Sequence, residues 1–171
     1  MATDDANCAV AHGDVQAPPG TRTLVAVFAS PVAAALVRYA QDLGYRTVLV
    51  EPERARVANE EAGATTVLTR YPPVDDDTDI VVTDHHRPEL GRLLADALKL
   101  PARWIGVLGN PRHPGPHEVA LRDLGVDERE ITRIHRPVGL NIGSRTPPEI
   151  AIATLAGLIA DRNGKPGGFD F

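Results

Sequence analysis

Apolar residues in the middle of the chain fall into short continuous runs that alternate with longer amphipathic stretches. The runs that are apolar on successive positions are Thr23–Ala29, Thr47–Val50, Thr66–Leu68, Ile80–Thr83 and Arg103–Leu108. A strand that is apolar on both faces must be covered on both sides, which is typical of parallel sheets. The pattern therefore predicts parallel strands between two layers of helices.

Helical patterns lie between most of these runs. Pro31–Leu43 has Ser30 as a plausible N-cap, proline at the first helical position and Gly44 just past its end. Glu53–Ala62 and Pro88–Leu98 are the other predicted helices, and the second places four leucines on one stripe. Repeated strand and helix predict an α/β fold with a doubly wound, mainly parallel sheet, Rossmann-like and three-layered.

The last third of the chain is less regular. Asp127 and Glu130 indicate a short capped turn, and Ile131–Ile134 a further short strand. Thr146–Glu149 has threonine where an N-cap belongs, proline at the first helical position and glutamate at the third, which is the pattern of a capping box. The helix that follows is apolar over most of its circumference, so we expect it to be buried.

Neither end of the chain shows apolar periodicity. Residues 1–22 and 163–171 are therefore predicted to be flexible tails, with one domain over residues 23–162. The N-terminus lacks the charge and apolar stretch of a signal peptide, and no run approaches the roughly 20 apolar residues of a membrane span. We expect a cytoplasmic protein with no membrane contact.

Composition excludes several other classes of protein. The 171 residues carry a formal net charge of −5 and only 4% aromatic residues, which argues against nucleic acid as the partner. Cys8 is the single cysteine, so an internal disulfide and a zinc site built from several thiolates are excluded. It lies in a predicted tail without a fixed basic neighbour, which gives little support for a catalytic thiolate.

Ligands of open parallel sheets bind beyond the carboxyl ends of the strands, so residues that follow the strands are the candidates. Glu51 ends the second strand, where an acidic group can hold a ribose diol. Residues 27–33 contain no glycine, however, and a dinucleotide fingerprint needs glycine there. An NAD(P)-dependent oxidoreductase on a degenerate Rossmann fold is therefore an alternative, supported by Glu51 and by the order of strands and helices.

Three polar side chains follow the fourth predicted strand: Asp84, His85 and His86. Either they contact a ligand or they form a turn in which the histidines face water. A metal site is not expected, because adjacent residues seldom supply a full coordination shell.

Two further groups are interpreted as loops. His113 and His117 have helical spacing, but prolines at 114 and 116 argue against a continuous helix, so both are predicted to be loop residues. The acidic residues Asp75–Asp77 and Asp79 lie beside two prolines and are predicted to be solvated.

A glycine-rich segment precedes the capped helix near the C-terminus. It concentrates flexible backbone, a guanidinium and a helix N-terminus in Gly139, Asn141, Gly143, Ser144, Arg145 and Thr146. Together these groups predict an anion site. The alternative is a structural loop in which Arg145 binds a carbonyl or pairs with an acid.

Two long strings in this region resemble a known family. They are Arg103–Asn110 and Ile134–Ala151, and the second contains Pro-Val-Gly-Leu-Asn-Ile-Gly-Ser-Arg-Thr-Pro-Pro-Glu-Ile-Ala. Both closely resemble the C-terminal Rossmann-like domain of the XdhC/CoxI family. Members of that family are accessory proteins of molybdenum hydroxylases such as xanthine dehydrogenase and carbon monoxide dehydrogenase.

The resemblance implies a non-catalytic maturation factor that binds the molybdenum cofactor, protects it while its sulfido ligand is installed and passes it to the apoenzyme. It also implies that the loops Gly106–Arg112 and Gly139–Thr146 line the site. Together with the residues found at the strand ends, the expected cofactor-binding residues are Glu51, Asp84, His85, His86, Gly106, Gly109, Asn110, Arg112, Gly139, Asn141, Gly143, Ser144, Arg145 and Thr146.

The chain also departs from the family pattern. The family's glycine-rich first turn is absent here, and Gly157 stands where a glutamate is usual. Typical members carry a separate N-terminal domain with a cysteine motif, for which residues 1–22 are too short, so a separate chain supplying it is one expected partner beside the molybdenum hydroxylase apoenzyme. Homodimerisation, and a module that has lost ligand binding, are the remaining hypotheses.

Overall fold

The computed structural model describes residues 8–13, 15, 22–57 and 66–168. Its strands are β1 (Thr23–Val27), β2 (Arg46–Val50), β3 (Thr66–Leu68), β4 (Thr78–Val82), β5 (Trp104–Val107) and β6 (Ile134–His135). They form one parallel sheet in the order β3-β2-β1-β4-β5-β6. The chain reverses direction across the sheet between β1 and β4, which is the switch point where doubly wound folds bind ligands.

Helices cover both faces of this sheet. They are α1 (Pro31–Asp42), α2 (Leu90–Leu98), α3 (Pro116–Asp123), α4 (Glu128–Ile131) and α5 (Pro147–Arg162). Helices α1 and α5 pack together on one face, and α2, with buried residues of α3 and α4, covers the other. The predicted three-layer, doubly wound architecture is confirmed.

Strand β1 lies at the centre of the sheet and is buried along its whole length. Its residues alternate between the two cores, since side chains along a strand point to opposite faces. Leu24 and Ala26 pack toward α1 and α5, whereas Val25 and Val27 pack toward α2. This is why the first apolar run is continuous rather than alternating.

Three predicted elements differ from the structure. Where a helix was predicted over Glu53–Ala62, Arg54–Arg56 form a 3-10 turn, and residues 58–65 lie outside the described ranges. Helix α3 begins at Pro116, within a segment predicted to be a loop, because proline is well tolerated at a first helical position that needs no N–H donor. Ile131 ends α4 instead of starting a strand, which leaves β6 only two residues.

The capping box of α5 is confirmed, but the expected burial of this helix is only partly right. Leu155 and Leu158 are buried against the core, whereas Ile152 is 52% exposed. An outer helix of a three-layer fold contacts the sheet on one side only. A helix can therefore be apolar over most of its circumference and still have an exposed face.

Asp79 was predicted to be solvated and is instead completely buried in β4. Arg103 Nε donates to its carboxylate at 2.7 Å and Arg162 Nε donates at 3.0 Å. Burial raises the pKa of Asp79, although both guanidinium groups act in the opposite direction. This ion cluster ties β4, β5 and α5 together at the edge opposite the carboxyl ends.

The predicted N-terminal tail is described only in part. Residues 8–11 form a helical turn in which Cys8 is exposed, and most of the rest of this segment lies outside the described ranges. None of the helices in the part of the chain described here is long and apolar enough to cross a membrane. A cytoplasmic location stays a prediction.

Candidate functional site at the carboxyl ends of the strands

A cleft of about 770 Å³ lies at the carboxyl ends of β4, β5 and β6. Its lining comes from these strand ends and from the first turns of two helices: Val32, Thr83, His85, Leu108–Arg112, Pro137–Ser144 and Ile150. The volume falls within the range of pockets that hold organic cofactors, and the mixture of apolar walls with a few polar groups is typical of them.

The structure brings one part of the predicted site together here and leaves the other part out. The predicted residues that line the cleft are His85, Gly109, Asn110, Arg112, Gly139, Asn141, Gly143 and Ser144. The predicted residues that do not line it are Glu51, Asp84, His86, Gly106, Arg145 and Thr146. The reasons differ from one residue to the next.

Glu51 is fully buried and is already bound by the protein. Its carboxylate accepts hydrogen bonds from the Ala29 and Glu53 amides, each at 2.9 Å, and from two nitrogens of Arg87, also at 2.9 Å. Burial raises the pKa of Glu51, but these hydrogen bonds outweigh it and the net direction is down. The prediction that Glu51 contacts a ligand is therefore corrected: this carboxylate is an internal anchor.

The N-terminus of α5 is closed by its own capping box. Oε2 of Glu149 accepts from the amide of Arg145 at 2.7 Å and from the amide of Thr146 at 3.1 Å. The first two helical residues are prolines without an N–H, and the Glu149 amide donates to the Thr146 hydroxyl at 3.5 Å. A carboxylate thus occupies the place of an external anion, while Arg145 is exposed and outside the cleft lining. The predicted anion site at Arg145 and Thr146 is corrected accordingly.

Gly106 has a packing role inside β5. A Cβ at this position would lie 2.2 Å from the indole of Trp104 and 2.8 Å from Val138. The indole stacks on the ring of His135 in β6, with centroids 4.8 Å apart and an angle of 10° between the planes. Gly106 makes room for this stack and is not part of the cleft lining, so its role in cofactor binding stays a prediction.

Of the three polar residues after β4, only His85 lines the cleft. Asp84 caps the turn by accepting from the His86 amide at 2.9 Å, and His86 is exposed. Burial lowers the pKa of His85, and the neighbouring His86 ring, 4.0 Å away between centroids, lowers it further. A hydrogen bond to the backbone of Leu108 and the charge of Asp84 raise the pKa, but its net direction is down, which favours the neutral imidazole. No group of three metal-ligating side chains occurs within the described residues.

The turn between β1 and α1 does not fit a dinucleotide. Ser30 caps α1 by accepting from the Ala33 amide at 3.0 Å, and its hydroxyl lies 3.0 Å from that of Thr83. Phe28, at the turn, is completely buried and has a φ of 72°. With the Ala29 amide bound to Glu51, this turn presents its donors to the protein rather than to a pyrophosphate.

Sequence reasoning missed Arg136, which follows β6 and contacts the loop that forms one wall of the cleft. Its guanidinium donates to the carbonyls of Asn110 at 2.8 Å and His113 at 3.0 Å. The sequence does contain a signal for Arg136, because an arginine follows a predicted strand. That arginine lies within the Ile134–Ala151 segment, which was interpreted only as a family resemblance.

His117 was predicted to be a loop residue and is instead buried in the first turn of α3, with 3% exposure. Burial lowers the pKa of its imidazole, and the nearby Arg136 acts in the same direction. Within the described residues, Nδ1 of His117 has no hydrogen-bond partner. His113, by contrast, is exposed in the preceding loop.

Comparison with known proteins assigns this fold to a family. A family model described as the XdhC Rossmann domain matches residues 24–158. The chain belongs to the XdhC Rossmann-domain family. The match spans every strand of the sheet and the cleft, so the XdhC Rossmann domain is the unit in which the site is built.

Two known proteins are similar to this chain, one in sequence and one in fold. The uncharacterized protein YqeB of Escherichia coli (strain K12) is 39% identical over 89 residues, which is 52% of this chain and 16% of YqeB. The crystal structure of a xanthine dehydrogenase from Bacillus halodurans superposes with a TM-score of 0.67 at 22% identity, over 84% of this chain and 45% of that one. The XdhC Rossmann domain described here thus spans less than half the length of both proteins.

Proposed function

We propose that this chain acts in the maturation of a molybdenum hydroxylase by binding the molybdenum cofactor and passing it to the apoenzyme. The observation that carries the proposal is the cleft of about 770 Å³ in a chain of the XdhC Rossmann-domain family. The cleft lies where ligands of doubly wound sheets bind. It is the remaining candidate site, because the β1–α1 turn does not fit a dinucleotide.

The cleft's residues fit the chemical groups of that cofactor. Its pterin is flat and ends in a phosphate, so it needs apolar walls, polar groups at the ring edge and a cation. Leu108, Val138 and Ile150 supply apolar surface, and Asn141 supplies amide donors and acceptors. Arg112 is the guanidinium in the lining, and no residue of the described lining is acidic. We assign the phosphate contact to Arg112.

The role of the chain in this proposal is binding and protection, not catalysis. When bound, the cofactor supplies the molybdenum centre that the hydroxylase later uses. The chain's own residues hold the pterin, pair with the phosphate and shield one side of the ligand from water. The apoenzyme, a separate chain with the family's N-terminal domain, and a second copy of this chain are all proposed partners.

A transfer assay tests the proposal. The chain is loaded with isolated molybdenum cofactor, freed from excess ligand and mixed with apo-xanthine dehydrogenase, and recovery of activity is followed against free cofactor. We expect faster recovery with the loaded chain and a loss of this advantage in Arg112→Ala. Arg92→Ala, an exposed arginine of α2, is the matched control. Recovery no faster than with free cofactor would contradict the proposal.

A further inference from the structure

Arg136 holds the loop that joins β5 to helix α3. It follows β6 directly, and its two terminal nitrogens donate to carbonyls at both ends of one short segment, those of Asn110 and His113. These carbonyls belong to the 109–115 loop, which forms a wall of the cleft and carries Arg112. One side chain therefore holds this wall at two points.

Glycines at both ends of the loop make this contact possible. A Cβ on Gly109 would lie 2.9 Å from Nε of Arg136, and a Cβ on Gly115 would lie 3.2 Å from its Nη1. A side chain at Gly109 would therefore displace the guanidinium, whereas at Gly115 the nearest obstacle is the His117 ring, 2.4 Å from such a Cβ.

No carboxylate of the described residues lies within ion-pair distance of Arg136. Its side chain is not part of the cleft lining, and it borders a smaller cavity behind the loop together with Glu118 and Glu128. Arg87, Arg103 and Arg162, whose side chains are at most 21% exposed, each pair with a carboxylate, whereas the half-buried Arg136 binds only neutral carbonyls. Its Nε is buried and lacks a hydrogen-bond partner in the same part of the chain. A partly buried charge is normally paired, because removing it from water is costly.

We infer that Arg136 is a positioning residue of the cleft, which holds the 109–115 loop in place and, through its unpaired charge, makes the cleft select ligands that carry an anionic group such as a phosphate monoester. The inference rests on the proposed function for the identity of the ligand. It does not rest on it for the electrostatic effect, which is present without any ligand.

Because Arg136 lies behind the wall of the cleft, we expect its charge to act on His85, which lines the cleft. Burial and His86 lower the pKa of this imidazole most, and Arg136 adds a smaller lowering, whereas the hydrogen bond to the Leu108 backbone and the charge of Asp84 raise it. His117, on the other side of the loop, is affected by Arg136 in the same direction. The guanidinium therefore acts on groups on both sides of the wall that it holds.

Two variants separate the charge from the fork geometry. Arg136→Lys keeps the charge and loses the paired donors, whereas Arg136→Gln keeps an amide donor and loses the charge. The first readout needs no ligand: the pH midpoint of the His85 ring signals, measured by NMR. We expect a higher midpoint in Arg136→Gln than in the wild type, and a midpoint close to the wild type in Arg136→Lys. Thermal unfolding of each variant verifies that it is folded.

The second readout uses a matched pair of ligands. The fluorescent oxidised pterin prepared from molybdenum cofactor is titrated with its phosphate intact and after phosphatase treatment. We expect the wild type to prefer the phosphorylated form about tenfold, Arg136→Gln to lose most of this preference and Arg136→Lys to keep most of it. The inference is overturned if the His85 midpoint is the same in all three proteins, or if Arg136→Gln keeps the full preference.

Failure of the proposed function gives a different result. If the wild type binds neither pterin, the cleft is not a site for this cofactor. The inference is then decided by the His85 midpoint together with binding of inorganic pyrophosphate, which should weaken in Arg136→Gln and persist in Arg136→Lys. No difference between these variants in either measurement overturns it.

Discussion

Arg87 and Glu51 form a bidentate ion pair in the interior, with both hydrogen bonds at 2.9 Å and side-chain exposures of 6% and 0%. The guanidinium also lies 4.6 Å from the centre of the Phe28 ring. The pair thereby joins the end of β2, the β1–α1 turn and the segment after β4. It occupies the side of the switch point where a dinucleotide's ribose would lie in related folds.

Removing one partner of this pair should be costly. Glu51→Gln removes the bidentate partner of the buried Arg87 and leaves only the Glu89 carboxylate at 3.3 Å, and we expect a loss of about 3 kcal/mol in the free energy of unfolding, measured in urea. Glu128→Gln, which removes an exposed partner of Arg122, is the control and should change stability little. Similar losses in both variants would show that the buried pair has no special role.

The same pair predicts a pH dependence. The pKa of Glu51 is lowered in the folded state, so its contribution to stability is fully present above the unfolded value of about 4.3 and is lost as the pH falls through the folded value. The stability difference between the wild type and Glu51→Gln should therefore shrink below about pH 4.3. Denaturation curves at several pH values measure this, and a constant difference down to low pH would contradict the assignment.

Gly157 couples helix α5 to the cleft. A Cβ there would lie 2.9 Å from Cα of Gly139, which belongs to the cleft segment and has a φ of +85°. Because the obstacle is backbone, Gly157→Ala should displace the 137–144 segment and reduce stability by about 1 to 3 kcal/mol. Urea denaturation measures the cost, with Ala156→Gly as the control for helix propensity. A variant as stable as the wild type would mean that this contact is not tight.

The two arginines of the cleft region should behave differently. Arg112→Ala should weaken binding of molybdenum cofactor about tenfold or more, because it removes a charged donor from the lining. Arg145→Ala should leave binding unchanged, since Arg145 lies outside the cleft lining and Glu149 already accepts from the amides at the helix N-terminus. A titration of both variants decides between the two positions, and a stronger effect at Arg145 would restore the interpretation from sequence.

The sequence predicts the scaffold well because its signal is local. Continuous apolar runs such as Thr23–Ala29 reflect burial on both faces, and the Thr146–Glu149 pattern sets the start of α5 to the residue. What the same pattern cannot reveal is that the residues that cap a helix also saturate its amides. The motif that suggested an anion site is the feature that closes it.

Tertiary partners explain the other differences. From the sequence, Glu51 is interpreted as a free carboxylate, because its partner Arg87 lies 36 residues away along the chain. Only the register of β1, β2 and β4 brings the two side chains together. Arg136 was overlooked for the same reason, since the loop that it holds is 23 to 26 residues earlier in the chain. Strand-end residues can be read from sequence, but which of them remain free for a ligand depends on long-range pairing.

The central claim is that the cleft at the ends of β4, β5 and β6 is where this chain binds the molybdenum cofactor. The most direct measurement is an amide NMR titration of the uniformly labelled chain with the isolated cofactor. We expect saturable shifts at Gly109, Asn110, Asn141 and Gly143, with the amides of Ala29 and Ser30 unaffected. Shifts confined to the β1–α1 turn, or none at any cofactor concentration, would contradict the claim.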